Sequence, residues 1–472
     1  MSGAITTDAH GNPMSGSAEA AAAYGDAISH LLRYDPRVVD DAGALVGDPE
    51  ALPMGQALMA YLCLSSTDAA DVSAARECAA QFSSLPLNAR ERAHSDALDA
   101  WVAGRWQSAA GLLGDLLVQW PTDVLALMMG HILDFFTGDA ANLRDRVGRS
   151  MPSFDPEHPH YGFVRGMHAF GLEESGHYDR SEVAGLEALS RNPDDVWATH
   201  AVVHTYEMQG RVDDGIQFLR ATETNWGSGN LFTVHNWWHL GLYLLEAGRI
   251  DEVIAIYDTE VHNADSKPVS LELLDASALL WRLQLDGIDT GARFGQLADA
   301  WATWLDDERW YAFNDLHAVV AFAGAGRLDD ARDVVGRMQE YAASGPPRDA
   351  PSNYAMTAEV GLPAARAVVA HVEGRHDDVV AELVPVRRTA HRFGGSHAQR
   401  DLIQRTLTDA AIRSGRLDLA RALLDERLSE RDTSVYGWLQ RARVLAASGD
   451  AEAAATAERI AATNRAHFAA AS

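Results

Sequence analysis

The segment GRWQSAAGLLGDLLVQWP, residues 104–121, carries three features that predict the fold of the whole chain. Gly104 stands between two helix-like segments, where a residue without a β-carbon can end a helix. Ala109 is small enough for the next helix to press against the previous one. Pro121 stops that next helix because proline has no amide hydrogen to donate. The segment therefore predicts one helical hairpin.

The same pattern returns along the chain with a regular period. The equivalent glycines are Gly104, Gly138, Gly176, Gly210, Gly248, Gly287, Gly326, Gly374, Gly415 and Gly449. Their spacings of 34 to 48 residues lie close to the 34-residue period of tetratricopeptide repeats. Small or helix-ending residues recur at the expected offsets, namely Ala331, Ala420, Ala454 and Pro193. No convincing strand is found.

This period predicts an all-α fold, a tetratricopeptide-like solenoid of helix hairpins that forms a right-handed superhelix around a polar central pocket. Residues 21–472 would form a single solenoid of roughly eleven helix pairs, since each repeat packs mainly on its neighbours. Residues 1–20 are small and polar, which is typical of a flexible N-terminal arm.

Composition limits the classes of partner and location. The net charge of −28 argues against nucleic acid and against an anionic membrane surface, because both repel an acidic protein. Two cysteines, Cys63 and Cys78, fit a reducing cytoplasm. The sequence shows no signal peptide and no apolar run of roughly 20 residues, which a membrane span requires. We therefore expect a cytoplasmic protein. The oligomeric state is not fixed by the sequence, which is compatible with a homodimer.

Histidines concentrate in two neighbouring middle repeats. Within Thr199–Glu207, steps of four and three residues place His200, His204 and Glu207 on one face of a helix. The next repeat places His235 and His239 four residues apart, with Trp238 on the same side. Two polar helix faces in adjacent repeats indicate a site.

Further polar residues lie in the repeats that follow. They are Asp275, Arg282, Asn314, Asp315 and His317. In a superhelix of hairpins, the first helix of each pair lines the concave wall. The sequence therefore predicts that these groups and the two histidine pairs converge in one polar, aromatic-edged pocket.

Three interpretations of the histidines remain open. The first is structural, with each imidazole hydrogen-bonded between helices. The second is a metal site formed by His200, His204, His235 and His239, whose ligand type suits zinc, iron or manganese. The third is general acid and base catalysis without a metal. A divalent metal is therefore a candidate cofactor. A nucleotide cofactor is not expected, because the sequence has no glycine-rich phosphate loop or dinucleotide fingerprint.

Two functions from different classes follow. The first is an enzyme, hydrolase-like, that acts on a small molecule. In it, His204 and His235 serve as base and acid, Glu207 or Asp315 orients an imidazole, and the substrate is held by other pocket residues, chiefly Trp238 and Arg282. The alternative is an adaptor that binds a peptide or protein partner in the concave groove. The near absence of lysine disfavours capture of a peptide carboxylate, so a small-molecule ligand is favoured.

Several motifs resemble the tetratricopeptide repeat protein 38 family over about residues 53–421. They are Phe170-Gly171-Leu172, the stretch His200–Met208, Asn236-Trp237-Trp238-His239, Phe313-Asn314-Asp315 with His317, Val360-Gly361-Leu362-Pro363, and Gly394-Gly395-Ser396 followed by Ala398-Gln399-Arg400-Asp401. The resemblance implies an all-helical repeat fold and supplies no biochemical role.

The same resemblance adds three pocket candidates, His94, His131 and Glu174. This chain departs from the family pattern at Gln56, where the family has histidine, and at His397, where the family has asparagine. For Arg400 and Asp401, pairing with each other is favoured over the binding of a ligand carboxylate.

Overall fold

The computed structural model describes residues 5–305, 309–346 and 351–470, and helices make up most of them. The α-helices are α1 Ala18–Leu32, α2 Arg37–Gly47, α3 Leu52–Ser65, α4 Ala69–Ser83, α5 Ala89–Val102, α6 Trp106–Gln119, α7 Val124–Phe136, α8 Ala140–Ser150, α9 Tyr161–Glu174, α10 Tyr178–Arg191, α11 Val196–Met208, α12 Val212–Trp226, α13 Thr233–Glu246, α14 Ile250–Ile256, α15 Ser270–Leu285, α16 Arg293–Ala302, α17 Ala312–Gly324, α18 Leu328–Ala343, α19 Ser352–Met356, α20 Leu362–Val372, α21 His376–Val386, α22 His397–Arg413, α23 Leu417–Glu430, α24 Val435–Ala447 and α25 Ala451–Ala470.

The ten periodic glycines end helices as predicted. All ten have φ between 67° and 83°, in the left-handed region that favours glycine. At the first of them, the Gly104 amide donates to the Trp101 carbonyl at 2.8 Å, and the Arg105 amide donates to the Ala100 carbonyl at 2.9 Å. These two bonds close the last turn of α5 and let the chain reverse into α6.

Consecutive helices pack as hairpins, and alternate helices stack on one another. In the middle of the chain, α9 packs on α11, α11 on α13, α13 on α15 and α15 on α17. The small residues predicted at the hairpin contacts are buried, with Ala109, Ala331 and Ala420 fully covered. The fold is thus an all-α, tetratricopeptide-like solenoid. No helix within the described ranges is both long and apolar enough to cross a bilayer.

The N-terminal residues differ from the flexible arm predicted over residues 1–20, of which residues 1–4 lie outside the described part. Strands β1, Ile5–Thr7, and β2, Pro13–Ser15, pair antiparallel. The Ser15 amide donates to Glu91 Oε1 at 2.7 Å, and the buried Arg90 donates to the Pro13 carbonyl at 3.2 Å. The hairpin supplies a donor for Glu91 and an acceptor for Arg90 of α5, and strands of three residues are too short to show an alternating pattern.

The two halves of the solenoid touch across the hollow. The Ser352 amide donates to the Gly104 carbonyl at 2.8 Å, and Thr433 Oγ1 donates to the Gly210 carbonyl at 3.0 Å. Loops of the second half therefore contact glycine turns of the first half that lie more than 200 residues earlier in the sequence. Because of this closure, the inner helices face an enclosed interior.

Candidate functional site

Four imidazoles meet between two neighbouring inner helices. His200 and His204 lie on α11, and His235 and His239 lie on α13. One ring nitrogen from each histidine can be chosen so that all four atoms lie within 4.8 Å of one another. The shortest contact is 3.1 Å, between Nε2 of His200 and Nε2 of His235. The four-residue spacing on each helix brings both rings of a pair onto the facing surface.

Carboxylates stand behind three of these rings. Asp275 Oδ2 on α15 is 2.7 Å from His235 Nδ1. Glu207 Oε2 is 3.3 Å from Nδ1 of His239, and Glu173 Oε2 on α9 is 3.6 Å from Nδ1 of His204. The carboxylate faces Nδ1 in each case and leaves Nε2 on the opposite side of the ring. Ligating histidines usually have a carboxylate that fixes the tautomer and the ring orientation, and the contact at His235 is a hydrogen bond of this kind.

Burial controls the charge of the cluster. Desolvation, followed by the neighbouring histidines, lowers the pKa of His200 and of His204 well below the ordinary value. Desolvation and His235 do the same to the pKa of His239. Burial, with help from Glu174 and Glu207, raises the pKa of Glu173 well above its usual range. The three imidazoles are thus neutral at pH 7, which is the form that can ligate a metal.

Aromatic rings enclose the cluster. The ring of His200 is 4.8 Å from Phe170, 5.0 Å from Trp197 and 5.0 Å from Phe232, measured between ring centroids. Trp238 stacks on His235 at 5.2 Å. These apolar walls exclude water from one side of the imidazoles and raise the strength of any electrostatic contact inside.

The donor set fits a divalent cation. Nitrogen ligands of one tetrahedral zinc ion lie roughly 3.3–3.5 Å apart, so four nitrogens within 4.8 Å need only small side-chain adjustments. Several nitrogens of the cluster also lack a hydrogen-bond partner among the described residues, namely His200 Nδ1 and both ring nitrogens of His204 and of His239. Buried polar atoms without partners are uncommon in folded proteins. A bound cation would satisfy those that face it.

Other predicted site residues also lie at this cluster. Asp275 and Glu207 contact His235 and His239, as described above. Arg282 Cζ lies 5.5 Å from the Trp238 ring centroid, while its guanidinium donates to the carbonyls of Ala278 at 2.8 Å and Ala398 at 2.6 Å. The arginine therefore links α15 to α22 beside the cluster and holds Trp238 in place.

Asn314 and Asp315 lie elsewhere, although the sequence analysis expects them in the same pocket. Asn314 Nδ2 donates to the Thr67 carbonyl at 3.2 Å, and Asp315 accepts from Arg309 at 2.8 Å. Both line a separate small cavity of about 30 Å³. Thr67 lies between α3 and α4, and Arg309 lies between α16 and α17, so a shared position within the repeat is not a shared location.

His317 is also separate from the cluster. Its Nδ1 lies 2.7 Å from the Phe313 carbonyl, one helical turn back, and its ring packs on Phe313 at 4.5 Å. Burial is the main cause that lowers its pKa to about 4. This histidine is held by its own helix.

The three candidates added by the family resemblance take three different places. His94 lies between Asp123, 2.9 Å away, and Tyr61, 3.1 Å away, near the N-terminal hairpin. His131 accepts from Trp197 Nε1 at 3.2 Å and so lies one layer behind the cluster wall. Glu174, at the C-terminal end of α9, lines a cavity of about 400 Å³.

Two residues of this region were missed by the sequence analysis as site residues, Glu173 and His397. Glu173 backs His204, and His397 Nδ1 lies 3.2 Å from Glu174 Oε2. The sequence held a signal for Glu173, because two adjacent acidic residues end α9, where the helix dipole disfavours negative charge.

The predicted pairing of Arg400 with Asp401 is not observed. Arg400 lies 3.5 Å from Glu174 Oε2. Asp401 instead accepts from Arg405 at 2.9 Å and from Arg427 at 2.5 Å. Adjacent positions on a helix point in different directions, so Arg400 reaches α9, while Asp401 pairs within α22 and with α23.

Comparisons with solved structures give distant similarities, at 10–15% identity. No family model matches the chain. The human IFIT1 dimer with PPP-AAAA matches at 10% identity and a TM-score of 0.39, covering 97% of this chain and 95% of that chain. The Cut9-Hcn1 hetero-tetramer of APC/C matches at 12% identity and a TM-score of 0.31, covering 94% and 93%.

A third match is Naa15/Naa10 bound to HypK-THB, at 15% identity and a TM-score of 0.23. It covers 94% of this chain, which spans only 63% of the matched chain. At these TM-scores the matches carry no information about the function of this protein.

Proposed function

We propose that this helical-repeat protein binds one divalent metal ion through His200, His204, His235 and His239 and uses it in a hydrolytic reaction on a small molecule. One observation carries the proposal: four imidazoles from two helices converge, three of them buried, and three have a carboxyl oxygen within 3.6 Å of Nδ1. A purely structural role would need a partner for each ring nitrogen, and most of these nitrogens have none among the described residues.

A bound ion would supply Lewis-acid activation of a water or of a substrate carbonyl. The chain supplies the rest. Asp275 holds the tautomer of His235, and the aromatic walls keep bulk water from the buried side. His235 and Glu207 are partly accessible, with side chains 13% and 14% exposed. A substrate would reach the centre from their side, and Glu207 is placed to move a proton there.

Acid and base catalysis without a metal uses the same residues. The His235 and Asp275 pair, at 2.7 Å, resembles the carboxylate-oriented imidazole of many hydrolases. It differs from the metal proposal in one respect, since it does not need His200, His204 and His239 to converge. Metal content therefore separates the two mechanisms.

The test uses tag-free, full-length protein, because a histidine tag would bind metal itself. We expect elemental analysis after dialysis against zinc to give one ion per chain. The variants His204→Gln and His239→Gln should lose that ion, while His177→Gln, which replaces an exposed histidine, should keep it. Equal metal content in all four proteins, each with a wild-type circular dichroism spectrum, would refute the proposal.

A second candidate function is the adaptor, and one observation favours it. The cavity of about 400 Å³ between the C-terminal helices and α9 is open enough for a peptide segment. Five arginines line it, namely Arg387, Arg400, Arg405, Arg427 and Arg431, together with four acidic residues, Glu174, Asp401, Glu426 and Glu430. Such a mixed wall can pair with charged side chains of a partner segment. A stoichiometric protein partner that co-purifies with the metal-free chain and is lost in Arg431→Ala would support this function.

The family, the class of ligand and the cellular location are also proposals. Membership of the tetratricopeptide repeat protein 38 family rests on the motifs alone and supplies no activity. A small-molecule ligand is preferred to a peptide at the histidine cluster because the cluster is enclosed. A cytoplasmic location rests on composition.

A further inference from the structure

Three metal-capable side chains meet at a second place, one helical turn along α9 from Phe170 of the aromatic wall. Glu173 and Glu174 end α9, and His397 begins α22. One ligand atom from each lies within 4.8 Å of the others. The contact between His397 Nδ1 and Glu174 Oε2 is 3.2 Å, and the His397 amide donates to Glu174 Oε1 at 3.1 Å. Residues 223 positions apart are thus held together by the closure of the solenoid.

Glu173 is the unusual member of this group. Its side chain is fully buried, and neither carboxyl oxygen has a hydrogen-bond partner among the described residues. It also lies in the last turn of a helix, where the dipole and the neighbouring Glu174 both oppose negative charge. A buried carboxyl in such a place needs either a proton or a cation.

The surroundings favour a cation that can be reached from solvent. Glu174 and His397 both line the cavity of about 400 Å³, so an ion has a path of entry and room for further ligands. Arg400 lies 3.5 Å from Glu174 Oε2 and also donates to the Gly395 carbonyl, so it helps to fix the position of that carboxylate. Oriented carboxylates are a common feature of metal sites.

We infer that Glu173, Glu174 and His397 form a second divalent-metal site. Two carboxylates and one imidazole suit Mn²⁺ or Fe²⁺ better than the all-imidazole cluster does, because oxygen ligands favour harder cations. Three protein ligands leave positions open toward the cavity, as in catalytic sites. This site goes beyond the proposed function and does not require the four-histidine cluster to be filled.

The two sites are joined through one side chain. Glu173 Oε2 stands 3.6 Å from His204 Nδ1, and Glu173 also belongs to the second donor set. One carboxyl can therefore orient His204 with one oxygen and ligate the second ion with the other.

Mn²⁺ titration of metal-free, tag-free, full-length protein tests the inference, with free Mn²⁺ followed by electron paramagnetic resonance. We expect one bound Mn²⁺ per chain. Glu173→Gln and His397→Ala should each weaken binding at least tenfold, while His239→Gln should leave it unchanged. The matched control is Glu426→Gln, which removes a carboxylate of the same cavity that pairs with Arg387 at 2.6 Å.

Two results would overturn the second site. One is a folded wild-type protein that binds no Mn²⁺. The other is Glu173→Gln with wild-type Mn²⁺ affinity and a raised melting temperature, which would show that the carboxyl is simply a buried acid. Failure of the four-histidine proposal has a different signature, namely zinc content that does not depend on His204 or His239.

Discussion

The chain buries histidines beside carboxylates in two regions, and the two regions differ in how well those groups are satisfied. Near the N-terminal hairpin, His94 contacts Asp123 at 2.9 Å and Tyr61 at 3.1 Å, so both ring nitrogens are used. Asp123 also accepts from Arg90 at 2.5 Å. Between α11 and α13, in contrast, both ring nitrogens of His204 and of His239 lack hydrogen bonds within the described part of the chain.

This difference separates a structural network from a candidate site. A saturated network fixes the geometry of its helices and has no remaining capacity for a ligand. An under-satisfied cluster costs stability unless something binds there. Buried histidines are therefore informative only when their partners are counted.

The largest expected loss of stability follows from a substitution in the saturated network around His94. Asp123→Ala removes the partner of Arg90 and His94 and also the cap of α7, where Asp123 accepts from the Ala126 amide at 2.9 Å. Removing one member of a buried ion pair costs about 3–5 kcal/mol, and we expect the urea midpoint to fall accordingly.

The matched control is Asp145→Ala, which breaks the exposed pair with Arg144 at 2.7 Å. It should cost under about 1 kcal/mol. Similar midpoints for the two variants would contradict the distinction between the regions.

The next effect concerns the under-satisfied cluster. Zinc added to metal-free protein at about 100 to 1,000 times its dissociation constant should stabilise the fold by about 2.7–4.1 kcal/mol, because only the folded chain presents the site. The measurement is the melting temperature with and without zinc. His204→Gln should abolish the shift and His177→Gln should keep it. An equal shift in both variants would place the binding elsewhere.

A smaller effect is expected at the carboxylate behind the cluster. Asp275→Asn leaves the four imidazoles in place but removes the charge 2.7 Å from His235 Nδ1. Loss of such a partner lowers metal affinity about 10- to 100-fold, which calorimetric titration with zinc would measure. The comparison variant is Asp299→Asn, at an exposed residue that pairs with Arg327. If Asp275→Asn binds zinc as tightly as Asp299→Asn, the carboxylate does not support a metal site.

The smallest expected change in stability occurs only at acid pH. Burial disfavours the Asp123 carboxylate, but Arg90 and His94 outweigh it and hold its pKa below the ordinary value. A carboxyl whose folded pKa is depressed adds stability above its unfolded pKa of about 4 and loses it as the pH falls further. The wild-type urea midpoint should therefore fall below about pH 4 more steeply than that of Asp123→Asn. If the urea midpoints of the two proteins fall equally steeply with decreasing pH, this assignment is contradicted.

Helical spacing made much of the four-histidine cluster predictable from the sequence. Steps of four residues place His200 with His204 and His235 with His239, whatever the packing. Neighbouring repeats stack, so the two pairs had to be close. The location of Asn314 and Asp315 was not predictable in this way, because it depends on how far the stack turns between α15 and α17. Nor could spacing show that Glu173 backs His204, since that contact joins different helices.

The sequence alone determined the helices, their ends and the face of each helix that carries polar groups, because glycine, proline and helical spacing act over a few residues. Only the tertiary structure decided which polar faces share a chamber. Small rotations between successive hairpins add up along the solenoid, and closure across more than 200 residues brings His397 to Glu174 while it keeps Asp315 away from the histidines.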